Sequence, residues 1–209
     1  MSQELNIGII LLAAGSSSRM GQNKLLFKNG RATLLENSLK SGINSKAKNV
    51  IVVLGSNKEE NELITNQFQI KTALNINWGK GIGSSIKCGL RDLLNENSSL
   101  DAVIISVCDQ PHLSSDIFDG LIETYKFIGK KIVAAAYANS IGVPVLYDKS
   151  LFGDLLKIPD EYGAKKYIID KASEDIITTF PFPKGEVDID TIEDLENILP
   201  DLKVRETDF

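Results

Sequence analysis

The residues best suited to chemistry in this sequence lie in a short stretch between Leu12 and Lys24. An apolar run ends at Leu12 and is followed by two Ala, one Gly and three Ser, and then by Arg19 and Lys24. Small residues expose backbone N–H groups and allow a ligand to approach the main chain. Two fixed cations beside such a loop suit a polyphosphate, because they neutralise its charge. The stretch therefore predicts a polyphosphate-binding loop.

The spacing of this loop differs from two common nucleotide-binding patterns. It contains no Gly-x-Gly-x-x-Gly, which is the fingerprint of dinucleotide-binding folds. It also departs from the Walker A loop, because Gly15 and Gly21 are one residue too far apart and Lys24 does not directly follow the second glycine. A nicotinamide-dependent oxidoreductase is therefore the least favoured class of enzyme.

Carboxylates follow the apolar segments at two further places. Asp109 comes just after an apolar run at residues 102–107, and Asp188 and Asp190 share one side of an extended segment near the C-terminus. A carboxylate at the carboxyl end of a central parallel strand lies where open α/β sheets bind ligands. Carboxylates beside a triphosphate are the usual protein ligands of Mg²⁺. We therefore expect a magnesium site at Asp109, with Asp188 or Asp190 as a second ligand; alternatively, Asp190 only caps a final helix.

A second unusual loop, at residues 75–85, contains three glycines at alternate positions. Gly79, Gly81 and Gly83 fit neither a strand interior nor a helix, and they suit a loop that presses against a flat ligand or needs positive φ. Ser84 is predicted as the N-cap of the helix that follows. A flexible connector would have the same composition, so both interpretations stay open at this point.

Alternating strand and helix patterns surround these loops. Apolar runs typical of strands occur at residues 7–12, 50–54, 70–74, 102–107 and 131–137. Segments with the periodicity of helices separate them. This alternation predicts a single three-layer α/β/α domain with a mostly parallel, Rossmann-like sheet. We assign this domain to residues 1–200 and expect the charged tail at residues 201–209 to fray.

Composition disfavours several classes of partner. Of the 209 residues 24% are charged, and the formal net charge is −5, whereas general nucleic-acid binding needs a basic surface. No apolar run is long enough to span a membrane, and the N-terminus lacks the basic flank of a signal peptide. The two cysteines, Cys88 and Cys108, form no motif, which suggests a reducing compartment. We therefore expect a cytoplasmic protein with no nucleic-acid and no membrane partner.

The stretch from Leu12 to Lys24 resembles the Leu-x-Ala-Gly-x-Ser-x-Arg-Met-Gly-x-x-Lys start of nucleotidyltransferases that use nucleoside triphosphates. Asp109-Gln110-Pro111, the Gly-x-Gly-x-Ser at residues 81–85 and the Asp-Ile-Asp-Thr at residues 188–191 match further motifs of the same superfamily. The chain is most similar to the molybdenum cofactor cytidylyltransferase branch of the MobA-like NTP transferases. This resemblance implies Mg²⁺-dependent transfer of CMP from CTP to the phosphate of molybdopterin or the molybdenum cofactor, release of pyrophosphate, and a molybdenum hydroxylase as client.

The resemblance also implies roles for individual residues. Arg19, Lys24 and Asp109 would be catalytic, and Asp109 with Asp188 would bind the metal. The nucleotide-binding residues that it implies are Leu12, Ala13, Ala14, Gly15, Ser16, Ser17, Ser18, Arg19, Lys24, Asn75, Gly81, Gly83, Ser84 and Ser85. Since a phosphate nucleophile is already ionised at neutral pH, such a site needs alignment and charge neutralisation rather than a general base.

The acceptor side of the site shows departures from the family pattern. The residues that the resemblance places near the acceptor are Gln110, Pro144, Glu161 and Lys165. Residues 160–165 are similar to a Gly-Asp-x-Gly-Ala-Arg segment, with Asp160 in place of Gly and Lys165 in place of Arg, and Val143 stands where many relatives have His. Lys offers phosphate a point charge where Arg offers a planar fork. A helix start with solvated charges would explain the same residues.

Three alternative functions stay open. The two-Ala start favours the cytidylyl branch over the guanylyl branch, which tends to have Ala-Gly-Gly, although loop backbone reads the base in both. Sugar-phosphate and methylerythritol-phosphate nucleotidyltransferases share the general start but usually have Pro where this chain has Asn23. A non-catalytic protein that delivers the molybdenum cofactor would keep the fold and lack magnesium-dependent release of pyrophosphate.

Overall fold

Strand β1 (Ile7–Ala13) is buried along its whole length, with a neighbouring strand on each side. This is what its unbroken apolar sequence predicts, because a strand covered on both faces needs apolar side chains in both directions. The computed structural model describes residues 5–18, 20–137, 140–189 and 193–194. Arg19, Asp190 and the tail at residues 201–209 therefore lie outside the described residues.

Strands and helices alternate along most of the described chain. The strands after β1 are β2 (Lys28–Asn29), β3 (Ala32–Thr33), β4 (Asn49–Leu54), β5 (Lys71–Leu74), β6 (Ala102–Val107), β7 (Ile132–Tyr137), β8 (Ser140–Asp148) and β9 (Ile177–Pro181). The helices are α1 (Leu34–Ile43), α2 (Lys58–Thr65), α3 (Ile82–Glu96), α4 (Ser115–Ile128), α5 (Phe152–Leu155) and α6 (Ala164–Asp170). Short 3-10 turns occupy Lys24–Leu26, Asn66–Phe68, Trp78–Lys80, Lys149–Leu151 and Pro183–Glu186.

The main sheet of the described residues has seven strands in the order β5-β4-β1-β6-β8-β7-β9. Strands β5, β4, β1 and β6 are mutually parallel, and β9 is parallel to β7. Strand β8 is antiparallel to both of its neighbours, β6 and β7. The sheet is therefore mostly parallel, as the alternation of strand and helix patterns predicts, with one reversed strand that those patterns do not reveal.

Apolar side chains cover both faces of this sheet. On one face Ile10 and Leu12 belong to a buried cluster with residues of α3, α5 and α6. On the other face Ile9 and Leu11 belong to a cluster with residues of α1 and α4. Alternation along β1 thus supplies both cores, and the predicted three-layer α/β/α fold is confirmed.

Local signals in the sequence also agree with the structure at helix α1. The Thr33 hydroxyl accepts a hydrogen bond from Glu36 N at 3.1 Å, and Thr33 N donates to Glu36 Oε2 at 2.6 Å. This is the capping box that the spacing of Thr33 and Glu36 predicts. None of the helices in the described ranges is long and apolar enough to cross a membrane.

The order of the strands determines where a ligand can enter. The chain passes from β1 outwards through β4 to β5 and then returns through α3 to β6, on the opposite side of β1. The carboxyl ends of β1 and β6 consequently lie side by side. The strand order reverses between these two strands, which makes this the topological switch point of the sheet. Open α/β sheets bind ligands at this point.

Candidate active site

A cavity of about 310 Å³ lies at the carboxyl ends of β1 and β6. We call it the first cavity. Its lining consists of the loop that follows β1, the residues just after β6 and parts of two other loops: Leu12, Ala13, Ala14, Gly15, Ser16, Ser17, Ser18, Lys24, Leu25, Trp78, Ile82, Ser85, Val107, Cys108 and Asp109. The structure therefore brings the predicted polyphosphate loop, Lys24 and Asp109 into one space, although they are up to 97 residues apart in sequence.

The loop after β1 presents backbone donors to this cavity. Among the described residues, none accepts a hydrogen bond from the N–H groups of Gly15, Ser16, Ser17 or Ser18. Ser17 has φ of 50°, a left-handed conformation that is uncommon for a residue other than glycine. Its carbonyl accepts from Met20 N at 2.9 Å, and its hydroxyl accepts from Lys24 N at 3.2 Å. The loop is thus held open around its own donors, which suits an anionic ligand.

Lys24 and Asp109 form an ion pair at the floor of the first cavity. The distance from Lys24 Nζ to Asp109 Oδ2 is 2.6 Å, and both side chains are mostly buried. The other carboxylate oxygen, Asp109 Oδ1, is buried and has no hydrogen-bond partner among the described residues. A buried carboxylate oxygen without a donor is costly unless another positive group reaches it.

The segment that carries Asp188 runs next to Asp109. Ile189 N donates to the backbone carbonyl of Asp109 at 3.1 Å, so the two acidic positions lie on adjacent stretches of chain. The Asp188 side chain is exposed, and its charge contributes to the raised pKa of Tyr137. The described residues contain no cluster of three or more His, Cys, Asp or Glu side chains arranged to hold a metal ion. Two carboxylates would therefore be the protein's share of a metal site here.

Helix α2 makes hydrogen bonds to both ends of the loop that connects β1 to Lys24. Asn61 is fully buried on α2; its Nδ2 donates to Ala13 O at 3.3 Å, and its Oδ1 accepts from Asn23 Nδ2 at 2.8 Å. Asn23 in turn accepts from Leu25 N at 3.2 Å and so caps the turn that begins at Lys24. The sequence analysis did not predict a role for Asn61. Most residues of α2 are polar, so no sequence pattern distinguishes the one buried amide among them.

Cys108 lines the first cavity but is not a nucleophile there. Burial, reinforced by the charge of Asp109, raises the pKa of its thiol to about 12. The group is therefore a neutral thiol at physiological pH, whereas a nucleophilic or metal-binding cysteine needs the thiolate. Cys108 therefore contributes a small, uncharged side chain to the lining of the first cavity.

Only part of the glycine-rich loop faces the first cavity. Ser85 and Trp78 line it, whereas the predicted nucleotide-binding residues Gly81, Gly83, Asn75 and Ser84 do not. Asn75 Nδ2 lies 2.8 Å from the Ser84 hydroxyl and 2.9 Å from the Ser85 hydroxyl, so it positions these two serines.

The start of helix α3 differs from the prediction. The helix begins at Ile82, its N-cap is Gly81, and the predicted N-cap Ser84 lies inside the first turn. Gly83 is therefore helical rather than part of a loop. The Ser84 hydroxyl accepts from Asn75 and donates to Gly81 O at 2.7 Å, which stabilises this early start.

A second cavity, of about 510 Å³, adjoins the first. Ile82 and Val107 line both cavities, so the two spaces share a wall. The other residues around the second cavity are Tyr137, Ser140, Gly142, Val143, Gly163, Ala164, Lys165, Glu186 and Asp188. A second ligand bound there would lie next to one held in the first cavity.

The four predicted acceptor residues occupy different places. Lys165 lines the second cavity and donates to the Ser140 hydroxyl at 2.7 Å. Gln110 is buried and donates to Gly185 O at 2.7 Å and to Val143 O at 3.3 Å, so it joins two walls of this cavity without lining it. Pro144 is buried in β8, and Glu161 is exposed away from the lining. Of the four, Lys165 is the one that lines the second cavity.

Tyr137 is a lining residue that sequence reasoning missed. It ends strand β7, and its half-buried ring lies against Gly142, where any larger residue would collide with the phenol oxygen. Burial and the charge of Asp188 raise the pKa of Tyr137, which keeps the hydroxyl protonated. No single-sequence pattern marks this tyrosine, because its role arises from the antiparallel pairing of β7 and β8.

Comparison with known proteins finds a matching family and several relatives. Residues 9–175 match the sequence profile of the family described as MobA-like NTP transferase domain. The chain is similar to a molybdenum cofactor cytidylyltransferase of Escherichia coli, with 30% identity over 112 residues that cover 54% of this chain and 56% of that protein. It is also similar to a nicotine blue oxidoreductase of Paenarthrobacter nicotinovorans, with 26% identity over 91% of this chain and 95% of that protein.

A solved structure supports the fold. The chain superimposes on a nucleotidyl transferase from Methanothermobacter with a TM-score of 0.81 and 20% identity, covering 96% of this chain and 99% of that one. At this level of identity the likeness concerns the arrangement of strands and helices.

Proposed function

Because this chain belongs to the MobA-like NTP transferase family, we propose that it transfers CMP from CTP to the phosphate of molybdopterin or the molybdenum cofactor. A phosphate oxygen of the acceptor attacks the α-phosphorus of CTP and forms the new P–O bond. The bond between the α-phosphorus and the bridging oxygen breaks, and pyrophosphate leaves with the electron pair. The observation that carries the proposal is the pair of adjoining cavities, which meet at Ile82 and Val107 above the ion pair of Lys24 and Asp109.

The residues of the first cavity suit a triphosphate. The N–H groups of residues 15–18, for which the described residues offer no acceptor, would donate to phosphate oxygens, and Lys24 would supply a cation that offsets the charge on the departing pyrophosphate. Arg19 would add a second cation, as the family motif implies. Such a site works by alignment and by charge stabilisation, and the ionised acceptor phosphate needs no general base.

Asp109 and Asp188 suit Mg²⁺. Asp109 Oδ1, which is buried and lacks a hydrogen-bond partner among the described residues, and Asp188, on the neighbouring stretch of chain, would supply carboxylate oxygens, and Mg²⁺ is usually held by one or two carboxylates together with substrate phosphates. When bound, the ion would neutralise charge on the reacting phosphate. Lys24 remains within reach of the same carboxylate and keeps it oriented.

The choice of CTP rests on the resemblance of the first loop and on the E. coli relative's name. Calorimetric titration of CTP, GTP, ATP and UTP in the presence of Mg²⁺ tests it. We expect the tightest binding for CTP, loss of that binding in Asp109→Asn, and parental binding in Asp116→Asn, a matched change at an exposed carboxylate of α4.

Two other results would change the assignment. Preference for GTP would indicate a guanylyltransferase, and absence of binding to all four triphosphates would overturn the proposal. Release of pyrophosphate from CTP on addition of molybdopterin distinguishes a transferase from a delivery protein, since only the transferase forms that product.

A further inference from the structure

A strap at residues 158–163, between α5 and α6, lies across the first turn of helix α3. Gly83 N donates to the Asp160 carbonyl at 2.7 Å. Lys87, one turn further along α3, reaches the same segment with its side chain: its Nζ lies 2.6 Å from Asp160 Oδ1 and donates to Ile158 O at 2.7 Å. The strap is thus held both by backbone and by a charged side chain.

The two glycines at the start of α3 allow this contact. A Cβ atom at Gly83 would lie 2.7 Å from Tyr162 O and 2.9 Å from Asp160 O, and one at Gly81 would lie 2.8 Å from Glu161 Cα. These separations are shorter than carbon makes with backbone atoms, so only glycine permits the strap to lie this close. Gly81 and Gly83, which the family resemblance assigns to nucleotide binding, therefore also permit a close contact within the protein.

The contact of Lys87 with Asp160 is only partly sheltered from solvent, since the Asp160 side chain is 35% exposed. The Lys87 side chain is 14% exposed, and the hydrogen bond from Lys87, together with the charges of Lys80 and Arg91, lowers the pKa of Asp160. Charge-assisted hydrogen bonds of this kind are the stronger class, particularly where water is partly excluded. Asp160 stands where the family segment described above has Gly, so this pair is a departure of the present chain.

The strap joins elements of both cavities. It leads directly into the residues that line the second cavity, Gly163, Ala164 and Lys165, and a Cβ atom added at Gly163 would lie 3.2 Å from Ile82 Cγ2. Ile82 in turn belongs to the walls of both cavities. Any movement of the strap away from α3 would therefore displace the shared wall and the Lys165 side of the second cavity together.

We infer that Lys87 is a positioning residue that couples the two cavities by clamping the strap onto helix α3. It touches neither ligand, and it acts by holding the shared wall where both ligands can meet. The inference rests on the proposed function for the identity of those ligands. Without the clamp, a nucleotide that enters the first cavity must also order the strap, and this cost lowers its affinity.

The test is a double-mutant cycle on Lys87→Met and Asp160→Asn, read out by calorimetry with CTP and Mg²⁺. We expect each single variant to raise the Kd for CTP by about 10-fold, which is in the usual range of coupling between two sites. The double variant should raise this Kd no further, because both changes remove the same contact. Lys87→Arg keeps the charge and should bind almost as the parent does. Lys149→Met breaks the 2.9 Å ion pair with Asp101 outside both cavities and should leave the Kd unchanged.

Hydrogen exchange gives a readout that does not depend on any ligand. We expect faster exchange in Lys87→Met at residues 81–85 and 158–165, with the parental pattern elsewhere. If Lys87→Met fails to fold, Asp160→Asn at the more exposed partner serves in its place. Parental exchange at both segments overturns the inference whatever the ligand is. A parent that binds no triphosphate overturns the proposed function alone, because exchange still decides the clamp.

Discussion

At the scale of single residues, the ion pair of Lys24 and Asp109 defines the candidate site. Removing one partner of a mostly buried pair leaves the other with an uncompensated charge, so both residues must be considered together. Among the described residues, Asp109 Oδ1 also lacks a hydrogen-bond donor. This free oxygen is the feature on which the proposed magnesium site depends.

We expect Lys24→Ala to lower turnover by about 100- to 1,000-fold, the usual effect of losing one donor that stabilises transition-state charge. The measurement is pyrophosphate release at saturating CTP. Lys58→Ala, at an exposed lysine that pairs with Glu62 on α2, is the matched control and should turn over at the parental rate. Parental turnover in Lys24→Ala would remove Lys24 from the proposed mechanism.

Tyr137 provides a second test at this scale. Removal of one neutral hydrogen bond in Tyr137→Phe should raise the KM for the acceptor by about 2- to 10-fold and leave the CTP Kd unchanged. Because burial and the charge of Asp188 raise the pKa of Tyr137, the parent keeps the donor to higher pH than an ordinary tyrosine would, and the difference between parent and variant should persist accordingly. An equal KM in the two proteins would mean that the hydroxyl does not meet the acceptor.

At the scale of elements, the loop after β1 depends on a helix that contributes nothing to the cavity lining. Asn61 of α2 holds Ala13 at the end of β1 and Asn23 just before Lys24, so both ends of the loop are fixed to one side chain. The geometry of Lys24 is therefore set by tertiary contacts as well as by its own turn.

Asn61→Ala should destabilise the protein by about 1 to 3 kcal/mol, since it removes the side-chain donor to the buried Ala13 carbonyl and leaves Asn23 Nδ2 with Glu60 Oε2 as its remaining acceptor. It should also lower turnover more than it weakens CTP binding, because Lys24 loses its fixed position. Denaturant unfolding and pyrophosphate release measure the two effects. Asn66→Ala, at an exposed position on the same segment, should change neither; a loss of stability without loss of turnover would limit Asn61 to folding.

The elements also show how far sequence reasoning reaches. The apolar run of β1 and the spacing of Thr33 and Glu36 are local signals, and the structure confirms both. The start of α3 was mispredicted because Gly81 and Gly83 respond to the strap, which lies more than 70 residues further along the chain. The direction of β8 was not predicted because side-chain alternation is the same in parallel and antiparallel strands. Tyr137 was missed for this reason, since the reversal of β8 is what places Gly142 against it.

At the scale of the whole molecule, several ionisable groups are buried in the neutral form. Burial raises the pKa values of Cys108, Tyr147 and Tyr167. Tyr147 is fully buried and donates to Ala164 O at 3.1 Å, so its proton also holds the first turn of α6. Deprotonation of these groups would require their exposure to water, and the folded state therefore opposes it.

We expect the free energy of unfolding to fall as the pH rises above about 9, where an ordinary cysteine begins to ionise. As the pH rises, the unfolded chain loses these protons at a lower pH than the folded protein does. Between its ordinary and its raised pKa, each group therefore lowers the free energy of unfolding by up to about 1.4 kcal/mol per pH unit. Urea unfolding at pH 7.5, 9, 10 and 10.5 measures the slope. Cys108→Ala should flatten the part of the decline that begins near pH 9, and an unchanged slope would show that Cys108 does not contribute.

The single tryptophan of the sequence has a consequence for every experiment on this molecule. Trp78 is 38% exposed and stands on the wall of the first cavity. All indole fluorescence from the protein therefore originates at this one wall. A change in emission on titration of a ligand would therefore arise beside the first cavity, and no label is needed to follow it.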